Sequence, residues 1–375
     1  MGRSLIILGL SARAAAESAV RAGFAPWCID VYGDRDLHRI ATVRVCPPRE
    51  FPSAMLRMLD DAPAEADLLL TAGMENHPDL LDAICFDHPL LGSGVDAIRQ
   101  VRDPLALPTL PAVKGLRFCK TRQGASLAQR VGAMLFGGWS RRQYLIKPQR
   151  SCGGANVRHW TADQPVAHDQ YLQQYIRGTP YCAVFKADGW SAQLVGVTEQ
   201  LVGEREFGSS GFKYTGSIGP VPMSENARAA LSHLAVQLTQ KFDVRGAFGV
   251  DLVMDWHGDL WPIEVNPRYV DSIELLERAL DLSVLAEHDA DGKKRTRQPR
   301  RMQAKALLRA RRDVTSVDLY ELFPRDRIAD VPAAGRVIRA GRPICSVFAQ
   351  GPTRDACFDA LRQMAQQVYD RLETN

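Results

Sequence analysis

The chain has 375 residues, 46% of them hydrophobic, and a formal net charge of +4. That length holds two or three cores, and so small a charge excess makes no case for nucleic acid or an acidic membrane surface as a partner. The eight cysteines form no CxxC pair and are expected as reduced, mostly buried thiols in a cytoplasmic protein. Met1–Ala25 carries no signal-peptide pattern, because the apolar run Leu5–Leu10 is short and soon followed by Arg13 and Glu17. No run is long enough to span a bilayer.

Ser4–Leu10 is expected as a buried strand, Ala12–Ala22 as a helix closed by Gly23, and Pro26–Val31 as a second strand ending near Asp30. Ala66–Thr71 and Pro89–Gly92 read as further strands with helix between them, and such alternation predicts a parallel sheet. The turn after the first strand has Gly9 and then Ser11-Ala12-Arg13, without GxGxxG, so a dinucleotide site is rejected despite Asp30. Two readings remain for this segment: a plain α/β scaffold, or a place where Gly9, Ser11, Arg13 and Asp30 help hold a substrate.

Asp103–Pro111, rich in Pro and Leu, marks a boundary. Tyr144–Pro148 is a strand running into Gln149–Val157, followed by strands at Tyr171–Ile176, Tyr181–Ala187 and Gln193–Thr198 and a helix from Glu225 to about Lys241. Gly249–Met254 and Leu260–Val265 predict a hairpin around the turn-rich Asp255–Asp259. The charged stretch 286–302 reads as a solvated linker. Beyond it, Arg336–Arg339 and Ile344–Phe348 read as strands. A last helix after Pro352 has Cys357, Leu361, Met364, Val368 and Leu372 as a core-facing stripe.

Three features carry chemistry. Lys147 ends a strand and precedes a loop with Gly153 and Gly154; a lysine beside free backbone N–H groups suits phosphate, although Gly-Gly turns are common. Leu172–Ile176 is an extended segment able to offer backbone groups to a purine ring, and by itself only a strand. Glu264, Asn266 and Arg268 recur at every second residue, so in a strand they share one face while Ile263, Val265 and Pro267 share the other. With Asp251 on the neighbouring strand, two carboxylates and an amide oxygen suit Mg²⁺, and Arg268 suits an adjoining anion. The histidines have no HxH or HExxH spacing and the serines no GxSxG elbow, so zinc and serine-hydrolase chemistry have no support.

The order of these features, and the phrase Glu264-Val265-Asn266-Pro267-Arg268, resembles the ATP-grasp superfamily. The resemblance implies α/β and α+β architecture: a Rossmann-like pre-ATP-grasp domain over residues 1–102, a two-lobed ATP-grasp domain over 103–285 with its hinge near 172–178, the linker at 286–302, and a small C-terminal α+β unit over 303–375. It implies that Lys147 contacts ATP phosphates and acts with Arg268 in catalysis. Ser151, Gly153 and Gly154 would form the phosphate lid, and Gln174, Tyr175 and Ile176 the hinge near adenine. Asp251, Glu264 and Asn266 would hold Mg²⁺, with Mn²⁺ as an alternative. Many ATP-grasp proteins carry a lysine before the first lobe; here Arg102 or Lys120 would take that place.

Several phrases, among them Asn266–Glu277, are similar to predicted ATP-dependent carboligases related to biotin carboxylase, and through them to tyramine–glutamate ligases of methanofuran-type cofactor synthesis. Biotin carboxylases follow the arginine with Ile-Gln-Val-Glu-His; this chain has Tyr269-Val270-Asp271-Ser272-Ile273, and a serine cannot deprotonate bicarbonate near neutral pH. An amine nucleophile is therefore preferred, with Asp271 or Glu274 receiving its ammonium group; Glu274 also reads as a solvated acid at a helix N-terminus. The loop Gly208–Gly211, flanked by Arg205, Glu206, Lys213 and Tyr214, is expected to close over substrate or to be a surface turn. The resulting expectation is an ATP- and Mg²⁺-dependent ligase joining a small-molecule carboxylate and an amine through an acyl phosphate, compatible with a homodimer. A bicarbonate-using carboxylase and a non-catalytic nucleotide-binding regulator are the alternatives.

Overall fold

The computed structural model describes residues 2–124, 143–161, 164–286 and 301–373. The first unit is a parallel sheet of β1 (Ser4–Leu8), β2 (Ala25–Asp30), β3 (Thr42–Val45) and β4 (Asp67–Leu70) in the order β3-β2-β1-β4. Both faces of β1 are covered. Leu5 and Ile7 pack on Ala15, Ala16 and Ala19 of the helix Arg13–Arg21, and Ile6 and Leu8 pack on Met55, Leu81 and Ile98. Burial on both sides explains the continuous apolar run. Pro89–Gly92, expected as a strand, makes only an isolated bridge between Leu68 and Leu90.

A small antiparallel sheet follows, with β5 (Thr121–Arg122), β6 (Tyr144–Pro148), β7 (Arg158–His159) and β8 (Gln170–Gln174) in the order β5-β8-β6-β7. Facing it is an eight-stranded antiparallel sheet. Its members are β9 (Thr179–Ala187), β10 (Ala192–Val202), β11 (Tyr214–Gly219), β12 (Gly246–Met254), β13 (Leu260–Asn266), β14 (Met302–Arg309), β16 (Ile328–Ala329) and β18 (Pro343–Gly351), with a separate ribbon of β15 (Val314–Thr315) and β17 (Val337–Ile338). The order β13-β12-β9-β10-β11-β14-β18-β16 runs without a break from the strands before the stretch 287–300 into those after it. The helix Glu225–Phe242 packs Leu231, Leu234 and Leu238 on one face of β9 and β12. On the other face Ile273 and Leu276 of the helix Asp271–Leu280 meet Cys182, Val184 and the first unit.

In the C-terminal helix Arg354–Glu373, the stripe Cys357, Leu361, Met364, Val368 and Leu372 is buried, as its spacing predicts. The neighbouring strand β14 was not legible. Its sequence MQAKALLR is made of good helix formers. It is extended because β11 and β18 pair with it on both sides, and tertiary pairing overrides so weak a local preference. Of the linker expected at 286–302, residues 287–300 lie outside the described residues. Among the described residues no helix is long and apolar enough to cross a membrane.

The three units meet at Arg13. Its side chain has no exposed surface. Its guanidinium donates to both carboxylate oxygens of Glu274, one of them at 3.0 Å, and to Asp330 at 2.9 and 3.1 Å. Lys305 on β14 donates to Glu274 at 2.8 Å and to Asp271 at 3.0 Å. Burial opposes the Glu274 charge, but Arg13, Lys305 and Arg278 outweigh it and hold this carboxyl well below the usual range. Removing one member of a buried ionic set strands its partners without water. Arg13→Met should therefore lower the unfolding free energy by about 3–5 kcal/mol. Urea denaturation measures this, and a loss under about 1 kcal/mol would place the network with ordinary surface pairs.

Candidate active site

The site is built on the hairpin β12–β13. Its turn is closed by Asp255, whose Oδ1 accepts the backbone N–H groups of His257 and Asp259 at 2.9 and 3.0 Å. In the resulting register Asp251 lies opposite Glu264. The register shifts after Asp251, pairing Leu252 with Pro262 and leaving Ile263 unopposed. Such a bulge breaks strict alternation. Val265 is buried in the core as expected, whereas Ile263 lines the cleft beside Glu264.

The cleft has a volume of about 560 Å³ and lies between the small and large sheets. Of the residues singled out from sequence, Lys147, Ser151, Gly153, Gly154, Gln174, Tyr175, Ile176, Asp251, Glu264, Asn266, Arg268 and Asp271 all line it. Lys147 comes from β6 and is 7% exposed. Its Nζ donates to Gln173 Oε1 at 3.1 Å, and Gln173 Nε2 donates to the Ile263 carbonyl at 3.1 Å. Burial disfavours the ammonium ion, yet Tyr171 and Glu264 reverse this and raise its pKa.

The glycine loop needs its glycines. Gly153 and Gly154 have φ of +59° and +72°, and a Cβ on Gly154 would come within 1.9 Å of the Phe212 carbonyl oxygen. The Tyr214 N–H donates to the Gly153 carbonyl at 3.1 Å, so the loop docks on the segment at the start of β11. Gly211, Phe212 and Tyr214 of that segment also line the cleft. Tyr175 meets His159 and Phe212 edge to face, with ring centroids 4.8 and 6.2 Å apart. Its N–H is bonded to the Gln143 carbonyl at 2.8 Å and is not available to a ligand.

Charge is distributed unevenly around the metal-type donors. Asp251 accepts from Gln200 at 2.8 Å and from Asn266 at 3.0 Å. Burial, and next the Glu264 charge, push its carboxyl up to about 6. Burial would raise Glu264 as well, but Arg102, Lys147 and Arg268 hold it below its ordinary value. Arg268 donates from Nε to Glu75 at 2.7 Å and from Nη2 to Asn266 Oδ1 at 3.3 Å. Two close carboxylates offer hard oxygen donors of the kind that suit Mg²⁺. Asn266 turns its nitrogen to Asp251, so joining a metal requires its amide to turn over. Among the described residues no three His, Cys, Asp or Glu side chains converge on one point.

Four expected residues stand apart. Arg13 and Glu274, assigned to substrate from sequence, are buried against each other outside the cleft wall. Ser11, in the turn fastened by the Ala12 N–H to Asp30 at 2.7 Å, does not line the cleft. Arg102 reaches the cleft through Glu264, to which it is paired, and also donates to Asn76 at 2.8 Å. Lys120, the alternative to it, is exposed. Asp271 alone of the expected substrate residues faces the cleft, half-exposed, with Oδ1 on Lys305. Glu75 and Asn76 were missed. They sit on a single turn after β4, and nothing local ties Glu75 to Arg268, 193 residues later.

This geometry is that of an ATP-grasp fold, and residues 137–272 match the ATP-grasp domain family. The chain is 23% identical over 178 residues to an uncharacterized protein of Methanocaldococcus jannaschii, a match covering 48% of this chain and 42% of that protein, so less than half of the relative's length is spanned. Among solved structures it is similar to the L-amino acid ligase of Bacillus licheniformis, with a TM-score of 0.69 and 14% identity over 98% of this chain and 97% of that one. It is also similar to the biotin carboxylase of Campylobacter jejuni in a β,γ-ATP complex, with a TM-score of 0.69 and 15% identity over 96% of this chain and 90% of that one. At such identities the likeness is one of fold.

The elevated Asp251 pKa has a definite sign. A carboxyl with a raised folded-state pKa contributes stability below its unfolded value and loses it as pH rises through about 6. In metal-free buffer the protein should therefore lose about 1–2 kcal/mol relative to Asp251→Asn between pH 5 and pH 8, allowing for partial solvent screening. Denaturant titrations of both proteins across that range measure the difference.

Proposed function

We propose that the protein is an ATP-dependent ligase that joins a carboxylate to an amine and releases ADP and phosphate. The observation that carries this reading is the convergence of Lys147, the loop Ser151–Gly154, the Asp251–Glu264–Asn266 set and Arg268 on one cleft. A carboxylate oxygen attacks the γ-phosphorus and ADP leaves; the amine then attacks the acyl carbon, phosphate leaves, and a proton is lost from nitrogen. Such a transfer needs in-line positioning and neutralised oxygens. Lys147 supplies a fixed positive charge and the loop supplies backbone N–H groups toward the phosphates. Asp251, Glu264 and Asn266 would hold Mg²⁺, which neutralises phosphate oxygens. Arg268, kept in place by Glu75, faces the transferring group, and Asp271 offers its remaining oxygen to an ammonium ion.

Ser272 favours the amine over bicarbonate. It is buried, and its Oγ accepts a hydrogen bond from Thr198 at 2.8 Å, so the position holds no base. Tyramine and L-glutamate are the first pair to test, because the phrases around Asn266–Glu277 resemble tyramine–glutamate ligases. Incubation with Mg²⁺-ATP and a panel of acid–amine pairs should yield ADP together with a product whose mass is the sum of the pair less water. ADP release that requires bicarbonate alone would establish a carboxylase instead. Glu264→Gln should lower turnover by at least about 10³-fold, the scale of losing a principal electrostatic contributor, while its circular dichroism spectrum stays that of the parent protein.

A further inference from the structure

The first unit ends its last strand at the cleft rather than away from it. After β4 the chain passes Gly73, whose φ is +102° and whose Cβ would meet the Phe51 ring at 2.8 Å. It then makes one tight turn, Met74–Asn76. Asn76 is 8% exposed and uses both ends of its amide. Its Oδ1 accepts from Arg102 Nη2 at 2.8 Å, and its Nδ2 donates to the Ser151 carbonyl at 3.2 Å. Arg102 is the partner of Glu264. One side chain therefore links the first residue of the glycine loop to the cation that holds a metal-type carboxylate. The loop is also anchored by the Tyr214 N–H on the Gly153 carbonyl.

We infer that Asn76 is a positioning residue, a latch by which the first unit holds the Ser151–Gly154 loop in register with the Arg102–Glu264 pair. The inference rests on the ATP-binding reading of the cleft for its consequence, but the latch itself is a property of the chain. A buried amide is suited to the task because it accepts at one end and donates at the other. A carboxylate can only accept. Asn76→Asp thus keeps the Arg102 contact and loses the bond to Ser151, whereas Asn76→Ala loses both.

The test compares the full-length parent protein with Asn76→Asp and Asn76→Ala. Trypsin cleavage after Arg150, an exposed residue directly before Ser151, reports opening of the loop in the absence of nucleotide. Calorimetric titration with Mg²⁺-ATP reports its consequence. Asn76→Asp should be cut about three- to tenfold faster than the parent, the range that one lost hydrogen bond gives. It should bind Mg²⁺-ATP more weakly by a similar factor, while its circular dichroism spectrum stays that of the parent protein. Parent-like cleavage in Asn76→Asp overturns the latch, whether Asn76→Ala is impaired, misfolded or normal, because the Arg102 contact would then be the part that matters. Failure of the parent protein itself to bind Mg²⁺-ATP would refute the nucleotide reading instead, while the cleavage comparison would still decide the latch.

Discussion

The structure depends on burying guanidinium groups against carboxylates that come from other parts of the chain. Arg13 joins the first unit to Glu274 and to Asp330. Arg268 reaches back to Glu75, and Arg102 reaches forward to Glu264. Each pair crosses a boundary between units, and each loses water when the units meet. Unpaired, any of these ions would be costly enough to hold the units apart. Paired, in bidentate geometry for Arg13 and Glu274 and through single contacts for the other two, they fix where one unit sits on the next. The cleft has its shape because its walls are fastened in this way.

The same pairings divide labour within the site. Arg102, Lys147 and Arg268 all bear on Glu264 and favour its ionised form, whereas Asp251, with burial and Glu264 against it, is pushed up to about 6. The two carboxylates are chemically alike and differ only in their neighbours. A divalent cation between them would remove the conflict that burial creates at Asp251. The first unit is part of this arrangement rather than a neighbour to it, since Glu75 and Asn76 hold the two arginines from behind.

Much of the site was legible because its members are close in sequence or fall on one strand face. Glu264, Asn266 and Arg268 follow the period of a strand, and the hairpin that brings Asp251 opposite Glu264 is announced by its turn residues. Lys147 and the two glycines likewise share one short segment. Arg13 and Glu274 misled for the converse reason. Charged residues near strand ends and helix starts look available to ligands, and only the distant partner reveals that they are occupied. β14 went unrecognised because of its composition: Ala, Leu, Lys and Gln carry helix preference in isolation and take extended form when strands flank them.

The amino-acid sequence by itself determined the alternation of strand and helix in the first unit, the β12–β13 hairpin, the glycine loop and the line of polar residues along one strand face. These follow from periodicity, turn chemistry and steric freedom, which act over a few residues. Tertiary structure alone decided that Ile263 turns into the cleft, that Met302–Arg309 is a strand, and that Glu75 and Asn76 stand behind Arg268 and Arg102. Those outcomes depend on partners separated by tens to hundreds of residues. Burial and pairing energies there exceed any local preference, and no short stretch of sequence records them.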